Sequence, residues 1–166
     1  TGNTEKMANF IAEGVRMAGQ TADVRKIAEI KSEAELSGYD GFILGCPTYH
    51  KDMTNGMKTF LFMAQRANLT GKMGGAFCSH THSGESGPMI YDTMQHVFQM
   101  DMVNLGPLSL KEQIINMPDG IKVFFKVDRP VAERALCLNA CALVCQLKPI
   151  LGFHKAYAAP AAARAR

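Results

Sequence analysis

Apolar residues recur at helical spacing directly behind the first residues of the chain. Met7, Phe10, Ile11, Gly14 and Met17 fall three and four positions apart, which predicts a helix over 4–18 with Gly19 as its C-cap. Ala22 to Ile27 is a short strand candidate, and Ser32 to Leu36 has the length of one or two helical turns. GFILG at 41–45 is a continuous apolar run, and its length and flanking glycines favour a strand buried on both faces. Asn55 to Ala67 has Met57, Phe60, Leu61 and Ala64 on one helical face. KMGGAFC at 72–78 predicts a second buried strand, Met89 to Met100 a helix, and Met102 to Leu105 a further strand. Pro107 is expected to start a variable connection, and 118–136 to be mostly helical with an interruption at Pro130. Strand and helix alternate, which argues for right-handed βαβ units, a parallel sheet and an α/β fold.

The polar stretches follow the strands. In an open α/β sheet such loops gather at the carboxyl edge, where ligands bind. Three of them carry candidate chemistry. Thr1-Gly2-Asn3-Thr4 opens the first helix, where unpaired N–H groups and partial positive charge suit a phosphate. It has no Lys or Arg, so neutral donors would hold the anion. The alternative is that Thr1 or Asn3 simply caps the helix. In Pro47-Thr48-Tyr49-His50-Lys51-Asp52-Met53, an aromatic ring just past a strand end can stack on a planar ligand, or be an ordinary surface residue. Ser79-His80-Thr81-His82-Ser83-Gly84-Glu85-Ser86-Gly87 is small and polar, with backbone N–H groups able to face a ligand edge. His80 and His82 make a poor metal site without a third ligand.

Composition narrows the class. The 166 residues are 47% hydrophobic and 20% charged, which suits one domain with a full core. The net charge is +3, but residues 137–166 hold four basic residues and no acid. Without them, 14 basic residues face 15 acidic ones, so residues 1–136 give no footprint for nucleic acid. No apolar run has the length of a membrane span, and residues 1–10 lack the hydrophobic region of a signal peptide. Five cysteines, an odd number, favour a reducing, cytoplasmic setting. Cys46 and Cys78, at the predicted strand ends, are expected to be packing residues. Cys137, Cys141 and Cys145 would share one helical face, as buried thiols or as soft-metal ligands. Residues 158–166 are low-complexity and expected to be disordered.

Three loops in this order resemble the flavodoxin-like family. TGNTEKMA is similar to its FMN-phosphate loop and first helix. YDGFILGCPTYHKDMTNGMKTFL resembles its third strand, first flavin loop and third helix. LTGKMGGAFCSHTHSGESG resembles its fourth strand and second flavin loop, and MDMVNLGPL its fifth strand. PTYHKDMTNGMKTF and KMGGAFCS are similar to the branch holding WrbA-type NAD(P)H:quinone oxidoreductases and the flavodoxin-like modules of larger flavoproteins.

The resemblance implies a three-layer α/β/α sandwich over 1–136, with a parallel sheet in the order 2-1-3-4-5. Residues 137–166 form an atypical Ala-rich tail. FMN is the implied cofactor. Thr1, Gly2, Asn3 and Thr4 would hold its phosphate, and Pro47, Thr48, Tyr49 and His50 would border the ring. Ser79, His80, Thr81, His82, Ser83 and Gly84 would line the ring's other side and its polar edge. The family's chemistry is electron transfer by the flavin, with no side chain needed as an acid–base catalyst. The implied partners are a redox protein or a small quinone-like acceptor, with NAD(P)H as donor. The WrbA type further implies a homo-oligomer. The histidine that such enzymes carry before strand five has no counterpart in register, although His96 lies near.

The family's first strand has no counterpart here, so the chain is expected to be truncated at its N-terminus. Such a loss would leave two strands with unpaired backbone groups and weaken FMN binding. Ala140 to Leu147 is the one apolar stretch that offers a substitute. A module that binds no cofactor and serves in assembly is the alternative function; a site for some other phosphorylated ligand is a third.

Overall fold

A computed structural model describes residues 2–117. Thr1, the expected helix over 118–136 and the tail with Cys137, Cys141, Cys145 and Ala140 to Leu147 lie outside the described residues.

Helix α1 spans Asn3–Met17. Met7, Ala8, Ile11, Ala12 and Val15 form its buried stripe, at the spacing an amphipathic helix requires. Beyond it, Gly19 takes φ 81°, a left-handed conformation that glycine adopts without a Cβ clash. The expected strand at Ala22 to Ile27 does not form. A strand needs a ladder partner for its N–H and C=O groups, and none pairs with this segment among the described residues. Ala22 is nevertheless buried with the α1 stripe. Single 3₁₀ turns follow at Ile27–Glu29 and Glu33–Leu36.

Strand β1 (Gly41–Pro47) and strand β2 (Met73–His80) run parallel, in register from Gly41↔Met73 to Pro47↔Ser79. Between them runs helix α2 (Asn55–Ala64), begun by the Thr54 side chain, which accepts the Met57 N–H at 3.3 Å. Gly45 lets the strand lie against Phe77: a Cβ there would sit 1.9 Å from the Phe77 ring. Helix α3 (Ser86–Asp92) starts earlier than the apolar spacing predicts and continues as a π turn over Thr93–Val97.

The last strand position is split. Strand β3 (Asp101–Met102) pairs parallel with the start of β2, and strand β4 (Leu108–Lys111) with its end. This corrects two expectations, a strand over Met102 to Leu105 and a variable connection from Pro107. Gly106 turns the chain at φ 72°, and Pro107 brings no N–H, so the chain leaves the ladder and then rejoins it. The Tyr91 hydroxyl holds the interruption by donating to the Val103 carbonyl at 2.8 Å. A short helix, α4 (Glu112–Ile115), follows.

The sheet order is β1–β2–β3, with β4 also on β2. Alternating side chains serve opposite faces. Phe42, Leu44 and Ala76 pack with Met57, Phe60, Ile90 and Met94 under α2 and α3. Phe77 and Leu110 pack with Met7, Ile11, Val15 and Ile115 under α1 and α4. Each fully buried Val, Leu, Ile, Met or Phe side chain among them contributes about 1.5–3 kcal/mol. The result is an α/β/α sandwich whose sheet is open along the far edge of β1 among the described residues.

Candidate functional site

The carboxyl ends of β1, β2 and β4 share one edge of the sheet, since Pro47 aligns with Ser79 and His80 with Lys111. Ser79 is the junction there, buried to 2% exposure. Its hydroxyl lies 2.7 Å from Thr4 Oγ1, and its carbonyl accepts the Thr48 N–H at 2.9 Å. All three sequence loops therefore meet at one residue.

At the first loop, Gly2 is the N-cap of α1, with φ 69° and no side-chain cap. Capping by Asn3 is thus not what the residue does; Asn3 is the first helical residue and is buried. Two hydroxyls that share one hydrogen bond retain a second proton. Thr4 and Ser79 together therefore offer one donor at a helix start that carries partial positive charge.

The second loop is a tight turn. The Tyr49 and Asp52 backbones exchange two hydrogen bonds at 3.0 Å each, while His50 and Lys51 between them take φ 53° and 62°. Both are left-handed, which is strained for side chains of this kind. Lys58 pairs with Asp52 and holds its carboxyl below the usual carboxylate range. The turn presents Tyr49 at 55% exposure, an aromatic face open to a planar ligand. Pro47 ends β1, and Thr48 turns inward to Ser86.

The third loop folds back on β2 and β4. Cys78 Sγ donates to Gly84 O at 3.3 Å and lies 3.3 Å from Ser109 Oγ. Gly84 is a close approach: a Cβ there would lie 2.1 Å from Ser109 Oγ and 2.9 Å from His80 Cδ2. Thr81 departs from the group, its hydroxyl donating to Glu112 at 3.2 Å. His82 is exposed and Ser83 half-buried. Burial, then the nearby Lys111, push the His80 pKa down, against the pull of Glu85. The Ser83 side chain, then the backbone of Glu85 itself, Lys51 and His80 hold the Glu85 carboxyl below its ordinary range.

Among the described residues, two buried side-chain atoms lack a hydrogen-bond partner: His80 Nδ1 and Glu85 Oε2. Both bracket this one loop. Buried polar atoms are ordinarily paired, so two unpaired ones in one loop mark it out. Glu85 and Ser86 are absent from the residues that the sequence resemblance assigned. Their one signal was membership of the same small polar loop; nothing in spacing marks a serine at a helix start as buried.

Elsewhere, an apolar groove lined by Met53, Leu61, Phe62, Val97 and Phe98 runs between α2 and the π turn. No helix among the described residues is long and apolar enough to cross a membrane.

A family model described as a flavodoxin domain matches residues 1–107. An NAD(P)H dehydrogenase (quinone) of Nitrobacter winogradskyi is 31% identical over 169 residues, covering 81% of this chain and 84% of that protein. A protein of the same name from Acidovorax ebreus is 31% identical over 138 residues, covering 68% and 69%. The fold is similar to that of a flavodoxin from the domain Archaea, with TM-score 0.66 and 22% identity over 82% of this chain and 87% of that one. The chain belongs to the flavodoxin family, a family of FMN-binding redox proteins.

Proposed function

We propose that the chain binds FMN at the carboxyl edge of its sheet and passes electrons from NAD(P)H to a quinone-like acceptor. The observation that carries this reading is the meeting of the three loops at Ser79. The donor set suits the group. Thr1, Gly2, Asn3 and Thr4 are assigned to the phosphate, through backbone N–H groups and the free hydroxyl proton of the Thr4–Ser79 pair. Tyr49, with Pro47 and His50 beside it, is assigned to one face of the ring. The loop from Ser79 to Gly84 is assigned to the other side and to the polar edge. Glu85 Oε2 is a carboxylate oxygen that can only accept, so it suits an N–H on that edge.

Bound FMN supplies one- or two-electron chemistry. The chain's own residues bind, orient and shield. The 31% identity to two proteins named NAD(P)H dehydrogenase (quinone) supports the donor and acceptor. A redox protein as acceptor, a homo-oligomer and a cytoplasmic setting belong to the same proposal. The test is an absorption spectrum of the purified protein with added FMN, then NADH or NADPH oxidation with a quinone. Flavin binding with quinone-dependent oxidation supports the reading; flavin binding without it leaves an electron carrier.

A second reading is a module that binds no cofactor and serves in assembly. The groove beside Phe62, which is 75% exposed, favours it. A colourless protein that fails to bind FMN would favour that reading.

A further inference from the structure

The Ser86 side chain is fully buried, and each of its polar contacts reaches back to β1 or the residue after it. Ser86 Oγ lies 2.7 Å from Thr48 Oγ1 and 3.3 Å from the Cys46 carbonyl, and the Ser86 N–H reaches Thr48 Oγ1 at 3.4 Å. Each hydroxyl has one proton, and a carbonyl only accepts. One assignment uses every donor. The Ser86 N–H donates to Thr48 Oγ1, the Thr48 hydroxyl donates to Ser86 Oγ, and the Ser86 hydroxyl donates to Cys46 O.

This assignment leaves Thr48 no proton for a ligand. It also ties the base of the 47–53 loop to the end of the 79–85 loop. Thr48 is held a second time through its own N–H, by the Ser79 carbonyl at 2.9 Å. The next four residues form the turn with His50 and Lys51 in left-handed conformations. Such a turn persists only where its surroundings hold it. The anchor at Thr48 is therefore what fixes Tyr49 relative to the third loop.

We propose that Ser86 and Thr48 are positioning residues, a buried hydroxyl pair that sets the spacing between the two ring-bordering loops. The proposal rests on the FMN reading above, and reassigns Thr48 from contacting the ring to holding the residue that does.

The experiment compares Ser86→Ala, Thr48→Val, the double variant and Thr48→Ser in titrations with FMN and with riboflavin. Midpoint potentials of the FMN-loaded proteins and circular dichroism of the free proteins accompany them. Ser86→Ala and Thr48→Val are each expected to weaken FMN about tenfold, the worth of a buried hydrogen bond. Riboflavin should lose as much, because the pair acts on the ring and not on the phosphate. The double variant should lose little more than the worse single one, and Thr48→Ser should stay close to wild type. The potential should shift in Ser86→Ala but not in Thr48→Ser, which a general loss of stability would not produce. Unchanged affinity and potential in Ser86→Ala, with wild type binding FMN, would overturn the proposal alone. Equal losses in Thr48→Ser and Thr48→Val would also overturn it. Failure of wild type to bind either flavin would overturn the FMN reading and this proposal together.

Discussion

Thr4 Oγ1 lies 2.7 Å from Ser79 Oγ, across 75 residues of sequence. The contact joins the first turn of α1 to the end of β2, and so joins the assigned phosphate loop to the assigned ring loops. Thr4→Val keeps the shape and removes the hydroxyl. It should weaken FMN by roughly tenfold or more, the range of a hydrogen bond to a charged group, and riboflavin far less. Parallel titrations measure the ratio, and equal losses would remove Thr4 from the phosphate site.

The turn at His50 and Lys51 stores strain. Glycine at position 51 would take φ 62° without a Cβ penalty. Lys51→Gly should therefore raise folding stability by about 1 kcal/mol, the order of the left-handed cost for a residue with a side chain. Urea unfolding measures it through a higher midpoint at unchanged slope. A lower midpoint would mean that the lysine itself stabilises the turn.

Gly45 has the opposite prediction. A methyl group there would sit 1.9 Å from the fully buried Phe77 ring. Overpacking of this kind costs about 1–3 kcal/mol. Gly45→Ala should lower the urea midpoint, and Phe77→Leu should partly restore it by opening space. Two independent, additive losses would contradict the contact.

His80 gives a pH dependence. Its folded pKa is depressed, chiefly by burial, below the ordinary histidine value near 6.5. The unfolded chain then binds the proton more readily than the fold. Its contribution is present above the unfolded value and is lost as pH falls through that value towards the folded one. Thermal unfolding of wild type should lose more between pH 7.5 and 5.5 than that of His80→Gln. Equal losses would show that His80 does not carry the effect.

The apolar patterns at Met7–Met17, GFILG and KMGGAFC disclose α1, β1 and β2 because each matches a helical or buried-strand template from local sequence alone. The alternation of those elements disclosed the α/β sandwich. Ala22 to Ile27 was misjudged because strand formation depends on a neighbour that local propensity does not contain. The split strand was hidden because Pro107 normally ends an element, whereas here the ladder resumes at Leu108 in register with Phe77. Loop membership could be read from small polar residues after each strand. The hydrogen bonds within the loops could not: Thr48 is turned inward by Ser86 and Thr81 aside by Glu112, partners 38 and 31 residues away.

The central claim is a flavin site built by the three loops that meet at Ser79. Titration of the purified chain against FMN fluorescence tests it most directly, with Tyr49→Ala alongside. Saturable quenching in wild type, weaker binding and brighter bound flavin in Tyr49→Ala are the expected result. No quenching by a folded wild-type protein would contradict the claim, and quenching that Tyr49→Ala leaves unchanged would take the ring away from this turn.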